Sequence, residues 1–254
     1  MEKGPENWPE NWPKKWDVAV IGSGVGGLMS AALLAKYHGK RVLVLERHAK
    51  IGGCTHVFKR RKDYVFDVGV HYVTGLAEGS AVRTAIDSLT EGRLVWRQLP
   101  SYDHVYFSDE WYRVPSGWSE ALAYFQGLFP SEKSALEKYA RLAERTARAF
   151  TWWNMAETRS AFVERVIKFG LRWFFREMFE VTEVVLARHF TDERLKRLLT
   201  FLTETTGVPA GVGAFGIHCS AVASNAQGAW YPEGGGERIS EELARVIVAN
   251  GGEI

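Results

Sequence analysis

Asp17–Gly27 reads DVAVIGSGVGG, an apolar strand run that passes into a glycine-rich turn and then into a helix. Gly22, Gly24 and Gly27 satisfy G-x-G-x-x-G, with Ser23 and Gly26 lying between them. The first glycine of such a pattern permits a tight turn, the second lets a pyrophosphate approach the backbone, and the third lets the helix pack closely on the strand. The helix that follows offers unpaired N–H groups and the positive end of its dipole to a phosphate. Glycine-rich turns are common, so the neighbouring sequence must decide. Working outward, Gly26–His38 is rich in Ala and Leu and has a helical pattern, with Gly39 placed as the residue after its end. Arg41–Glu46, RVLVLE, is then a second strand ending in an acid 19 positions after Gly27, where a carboxylate accepts ribose hydroxyls. The expectation is a β-α-β unit that binds a dinucleotide.

The 254 residues suffice for one large or two small domains with a sizeable core. Apolar content of 46% and charged content of 24% are ordinary for a globular protein, and a net charge of +2 gives no global reason to expect nucleic acid. Cys54 and Cys219 stand far apart without metal-ligand spacing, so neither a disulfide framework nor a metal site is expected. Residues 1–16 contain ENWP twice and no apolar run of signal-peptide type, and read as a flexible tail. No segment has the roughly 18 uncharged apolar residues of a spanning helix, so a cytoplasmic or peripheral membrane location is expected.

Beyond Glu46, Arg47 follows the acid directly and Gly52-Gly53-Cys54-Thr55 comes after a short loop, a glycine pair that again brings backbone amides close to phosphate. Tyr64–Tyr72, YVFDVGVHY, reads as one strand interrupted by a glycine. The run E-R-x4-G-G-C-T, followed by F-D-x-G-x-H-Y, resembles the FAD-dependent phytoene desaturase superfamily, most closely its retinol saturase and carotenoid isomerase branch. Gly216–Cys219 and the segment GAWYPEGGG at Gly228–Gly236 are similar to that branch as well.

The resemblance implies an α/β fold: a Rossmann-type FAD-binding domain (17–90, returning at 228–254) with an inserted, mainly helical α+β substrate domain (91–227). It also implies that Gly22, Ser23, Gly24, Gly26 and Gly27 meet the FAD pyrophosphate and Glu46 the ribose. Arg47, Gly52, Gly53 and Thr55 would lie around the same cofactor, and the strand bearing Gly69, Val70 and His71 would approach the flavin. The residues themselves reach only "dinucleotide"; FAD in place of NAD, with NAD(P) as electron donor or acceptor, rests on the resemblance. His71 is the candidate ring-adjacent polar group, beside the reading of a structural histidine. His218 reads as a satisfied core residue, and Cys54 as a small residue beside the glycine pair. In the resembled family a long C-terminal half follows Glu253-Ile254, which look like the first residues of a strand, so the sequence is expected to be a fragment without turnover by itself.

His104–Val114 reads as a hairpin around Ser108-Asp109-Glu110. Ser131 is placed to cap a helix running to about Phe150, and Thr191 one closed by Gly207. Between them, Phe150–Phe190 is dense in Trp and Phe, and Arg165, Lys168, Arg172 and Arg176 recur at helical spacing as a basic stripe. Residues 162–179 thus read either as an interfacial helix for peripheral membrane contact, where a lipid substrate enters, or as a packed helix with surface arginines. Glu237–Ala249 is an amphipathic final helix. The functions in play are flavin-dependent reduction, desaturation or isomerisation of an isoprenoid (retinoid or carotenoid) C=C bond, amine oxidation on the same framework, or a non-catalytic dinucleotide-binding fragment.

Overall fold

The computed structural model describes residues 16–61, 63–107, 109–204 and 206–254. The ENWP repeats at 6–13 lie outside these, as does Ser108 of the hairpin turn. The chain divides into two compact units: one holds the sequence up to Val73, Glu78–Arg97 and Trp230–Ile254, and the other Thr74–Ala77 and Gln98–Ala229.

The first unit begins with β1 (Val18–Ile21), α1 (Val25–His38) and β2 (Val42–Leu45). β1 and β2 pair in parallel, Val18 opposite Val42 through Ile21 opposite Leu45. The buried face of α1 is Leu28, Ala31, Ala32 and Ala35, three of them small enough to let the helix lie close to the sheet. Gly39 ends α1 in the left-handed conformation, with φ 59°, and its N–H bonds to the Leu34 carbonyl. A hairpin follows, β3 (Val57–Arg60) antiparallel to β4 (Tyr64–Asp67). Then come β5 (Val73–Thr74), α2 (Ala81–Thr90) and β6 (Trp96–Gln98).

The second unit starts with the hairpin β7 (Ser101–Phe107) and β8 (Glu110–Pro115), with Asp109 at φ 61° in its turn. It continues with α3 (Trp118–Leu128), α4 (Lys133–Ala156), α5 (Ala161–Phe174), α6 (Thr182–His189), α7 (Glu193–Glu204) and α8 (Phe215–Ala226). Its core joins Val105, Tyr112 and Val114 of the hairpin to Leu136, Tyr139, Leu186, Leu199, Phe215 and Val222 of the helices. Burying each such side chain is worth about 1.5–3 kcal/mol. His218 is fully buried there, and its Nε2 lies 2.6 Å from the Tyr139 hydroxyl. Burial pushes its pKa down to about 4, so the ring is neutral at pH 7.

β9 (Ala229–Pro232) and α9 (Glu237–Ala249) complete the order, and β5, β6 and β9 form a sheet in the order β5–β9–β6. After α9, Glu253 bridges Leu43 in parallel: its N–H donates to the Val42 carbonyl at 2.9 Å and its carbonyl accepts from Val44 at 2.8 Å. This bridge places Glu253 parallel to β2, which also pairs with β1.

Four expectations are corrected. The run from Tyr64 does not extend to Tyr72: β4 ends at Asp67, whose side chain is captured from outside the strand by Tyr231 and Gly236. Ser131 sits inside a 3-10 turn, Pro130–Glu132, and caps nothing, while α4 runs on to Ala156. Thr191 is not the cap of α7. Its N–H and hydroxyl both donate to Glu132 at 2.7 Å, leaving Asp192 to accept from the N–H groups of Arg194 and Leu195 at 2.8 and 2.9 Å. The four cations do not share one helix either, because α5 ends at Phe174 and Arg176 opens a 3-10 turn, Arg176–Phe179.

Candidate functional site

The first unit gathers four glycine-bearing segments. Gly22 turns out of β1 at φ 95°, a conformation that a side chain would strain. Gly27 is required by proximity: a Cβ there would lie 2.2 Å from the Gly22 carbonyl oxygen. Gly24 differs from both. It has an ordinary backbone, φ −61° and ψ 167°, and no atom lies within 4 Å of where its Cβ would stand. Nothing in the packing requires glycine at 24, so an open space in front of the backbone is what its missing side chain preserves.

Ser23, fully buried, ties this loop to both neighbours. Its N–H and hydroxyl donate to Glu46 Oε2 at 2.8 and 2.6 Å, while the His48 N–H donates to Oε1 at 2.8 Å. The bond from the Ser23 hydroxyl, then that from His48, holds the Glu46 pKa at about 2, so the carboxylate is charged across the physiological range. The Arg47 backbone N–H adds to these donors, and the carboxylate stays half-exposed.

The second segment docks on the first. Gly52 pairs with Gly24 in a parallel bridge and donates its N–H to the Ser23 carbonyl at 3.0 Å. Gly52 and Gly53 have φ 111° and 56°, and Thr55, buried, closes the turn by donating its hydroxyl to the Gly52 carbonyl at 2.9 Å. Gly69, the third, passes against Cys54, whose Cβ would stand 3.1 Å from an added side chain. Cys54 is exposed with a free thiol. The fourth is Gly234-Gly235-Gly236 at the start of α9. Gly236 is held against Asp67, and Ser240 one turn later would meet a Cβ on Gly52 at 2.8 Å.

Gly22, Ser23, Gly24, Gly27, Glu46, Gly52, Gly53 and Thr55 therefore lie in one neighbourhood, and Gly69 reaches its edge through Cys54. Gly26 stands in the first turn of α1 facing open space, and Arg47 is exposed beside Glu46. Val70 and His71 follow Gly69, with His71 exposed on a bend. Sequence reasoning missed Asp67, Tyr231 and Ser240 as parts of this neighbourhood. Their pairings span 164 residues or more, and only the FD and WYP motifs hinted at the first two.

Among the described residues no His, Cys, Asp and Glu group could hold a metal ion, and no helix is long and apolar enough to cross a membrane.

Residues 20–89 match the model of the NAD(P)-binding Rossmann-like domain. Over 252 residues the chain is 34% identical to the human all-trans-retinol 13,14-reductase, covering 94% of this chain and 40% of that protein. Its homologues thus include retinol 13,14-reductases. It is also 28% identical to prolycopene isomerase 2, chloroplastic, of an Oncidium hybrid cultivar, over 94% of this chain and 42% of the other. The chain thus spans about 40% of the length of the curated relatives it matches. In fold it is similar to cyclohexylamine oxidase from Brevibacterium oxydans IH-35A, with a TM-score of 0.61 at 19% identity over 95% of this chain and 51% of the oxidase.

Proposed function

We propose that the protein is an FAD-dependent oxidoreductase acting on a C=C bond of an isoprenoid polyene, a retinoid or a carotenoid. The observation that carries the cofactor reading is the open space kept in front of Gly24 beside a charged Glu46. A backbone without a side chain suits a pyrophosphate, and a charged, half-exposed carboxylate suits a ribose. In this reading Gly22, Ser23, Gly24, Gly26 and Gly27 receive the pyrophosphate at the N-terminus of α1, and Glu46 takes the ribose hydroxyls. Arg47, Gly52, Gly53 and Thr55 support them from the facing turn. Gly69 gives a close backbone approach, and Val70 and His71 after it are the residues proposed nearest the flavin ring. His71, exposed, is the candidate catalytic group.

When bound, a flavin supplies two-electron hydride chemistry, while the protein contributes binding, orientation and exclusion of water. The names of the relatives, a retinol 13,14-reductase and a prolycopene isomerase, favour a polyene substrate. The test offers the FAD-loaded protein, extended C-terminally to the length of its relatives, with a chemical reductant, all-trans-retinol and a poly-cis carotene separately. A product heavier by one H2 supports reduction, and an unchanged mass with altered double-bond geometry supports isomerisation. Recovery of both polyenes unchanged would refute the reading.

Such a substrate resides in lipid, and α5 has the composition to meet it. Phe162, Val166, Phe169 and Trp173 follow one another at helical spacing, and Phe162, Phe169 and Trp173 are 78%, 73% and 71% exposed. No residue of α5 is buried. Arg165, Arg172 and Arg176 flank this face without an ion pair among the described residues, whereas Lys168 is engaged by Glu157 and Glu164 at 2.9 and 2.8 Å. We propose that this face lies in the headgroup boundary of an anionic membrane, with the three arginines at the phosphates.

A further inference from the structure

Two side chains that the cofactor reading leaves unused meet in the first unit. Asp67, at the end of β4, faces Tyr231 and Gly236 from β9 and the start of α9. The Tyr231 hydroxyl donates to Asp67 Oδ2 in a short hydrogen bond. The Gly236 N–H lies 3.2 Å from Asp67 Oδ1 and 3.0 Å from the Tyr231 hydroxyl oxygen, so the three groups close a ring. A Cβ at position 236 would stand 2.6 Å from Asp67 Oδ1, so a side chain there would displace the Asp67 carboxylate.

What the ring holds makes it more than a local turn. Gly236 begins α9, whose Ser240 packs on Gly52, and Gly52 in turn bridges Gly24 and donates to Ser23. Thr55 stands on the same path, its hydroxyl placed to meet a Cβ on Gly52 and its carbonyl one on Gly236. A continuous series of contacts therefore runs from Asp67 and Tyr231 to the loop in front of α1. Burial and the bond to Asp67 keep the phenol protonated, with its pKa pushed up to about 12, so it stays a donor at any working pH.

We infer that Asp67 and Tyr231 form a positioning pair that fixes the start of α9 against Gly52–Thr55 and thereby sets the geometry of the dinucleotide loop. Neither is a catalytic residue. The inference rests on the FAD reading above. It predicts that loss of either partner weakens dinucleotide binding at a distance, and that loss of both does no more than loss of one, because the pair acts as a unit.

The experiment uses Tyr231→Phe, Asp67→Asn and the double variant, with FAD as the probe. Three quantities are read: the dissociation constant by flavin fluorescence, the visible circular dichroism of bound flavin, and hydrogen exchange of residues 232–240 without FAD. The pair predicts affinity about tenfold weaker in each single variant, in keeping with a hydrogen bond to a charged acceptor. It also predicts no additional loss in the double variant, an altered flavin dichroism, and faster exchange at 232–240 with unchanged far-ultraviolet dichroism. Wild-type affinity and wild-type exchange in the variants, or losses that add as for independent sites, would overturn it. If the wild type itself takes up no FAD, the cofactor reading falls and this inference with it. Uptake by the wild type with unaltered variants overturns this inference alone.

Discussion

Replacing Gly24 with valine and Gly27 with alanine separates the two reasons a glycine loop exists. Gly27 is a packing glycine: the alanine Cβ would lie 2.2 Å from the Gly22 oxygen and 3.4 Å from Val20 Cγ1, so α1 must move away from β1 by more than an ångström. Overpacking of this kind costs about 1–3 kcal/mol. At about 2–4 °C per kcal/mol for a chain of this size, the midpoint of thermal unfolding should fall by roughly 2–12 °C. Gly24 has backbone angles that any residue adopts and nothing within 4 Å of its Cβ, so Gly24→Val should leave stability within about 0.5 kcal/mol of wild type, as for a surface position. Its branched side chain nevertheless fills the space proposed for the pyrophosphate. FAD affinity should therefore drop at least about tenfold, or 1.4 kcal/mol. Thermal unfolding without ligand and fluorescence titration with FAD measure the two effects separately. If Gly24→Val unfolds as readily as Gly27→Ala, or binds FAD like wild type, the assignment of the space in front of Gly24 is wrong.

Three further outcomes are expected. Glu46 has its pKa lowered to about 2 from an ordinary value of 4.5, so its contribution to stability is complete above pH 4.5 and is lost as pH falls toward 2; the acid limb of stability against pH should flatten in Glu46→Gln. His218, held neutral with a pKa near 4 against 6.5 when unfolded, makes stability fall between pH 6.5 and 4 by about 3 kcal/mol in all, and denaturant unfolding of His218→Gln should lack that slope. Charge reversal at Arg165, Arg172 and Arg176 should release the protein from anionic vesicles in a sedimentation assay, each arginine being worth about 1 kcal/mol at the surface. Equal sedimentation of wild type and variant would show α5 to be a solvent-facing helix only.

The β-α-β unit was legible because its determinants are local. Gly22, Gly24 and Gly27 specify a turn and a helix start within six residues, Gly39 ends the helix, and Glu46 closes the next strand. The helix Glu237–Ala249 was equally legible, its apolar positions Ile239, Leu243, Val246 and Ile247 all buried. What could not be read was decided by side chains distant in sequence. YVFDVGVHY alternates like one strand, yet Asp67 ends it because Tyr231 and Gly236, more than 160 positions away, claim its carboxylate. Thr191 and Asp192 are both good caps. Glu132, 59 residues earlier, takes Thr191 and leaves Asp192 to α7. Burial would raise the Glu132 pKa, but the bonds from Thr191 and Asp192 outweigh it and hold the carboxylate below its usual range. β3 was missed because only Val57 of its four residues is buried, which gives no alternation to detect.

The Glu46–Ser23 contact was also outside the reach of spacing arguments. The motif places an acid at the end of β2 but does not say that the buried serine between Gly22 and Gly24 already occupies one of its oxygens with two bonds. A ribose must therefore bind beside Ser23 or displace it.

Titration of the purified protein with FAD, followed by flavin fluorescence and visible absorption, with NAD and NADP as competitors, tests the central claim most directly. We predict saturable binding of one FAD per chain that neither nicotinamide dinucleotide displaces, and loss of that binding in Gly24→Val. Absence of saturable FAD binding, or tighter binding of NAD or NADP at the same site, would contradict it.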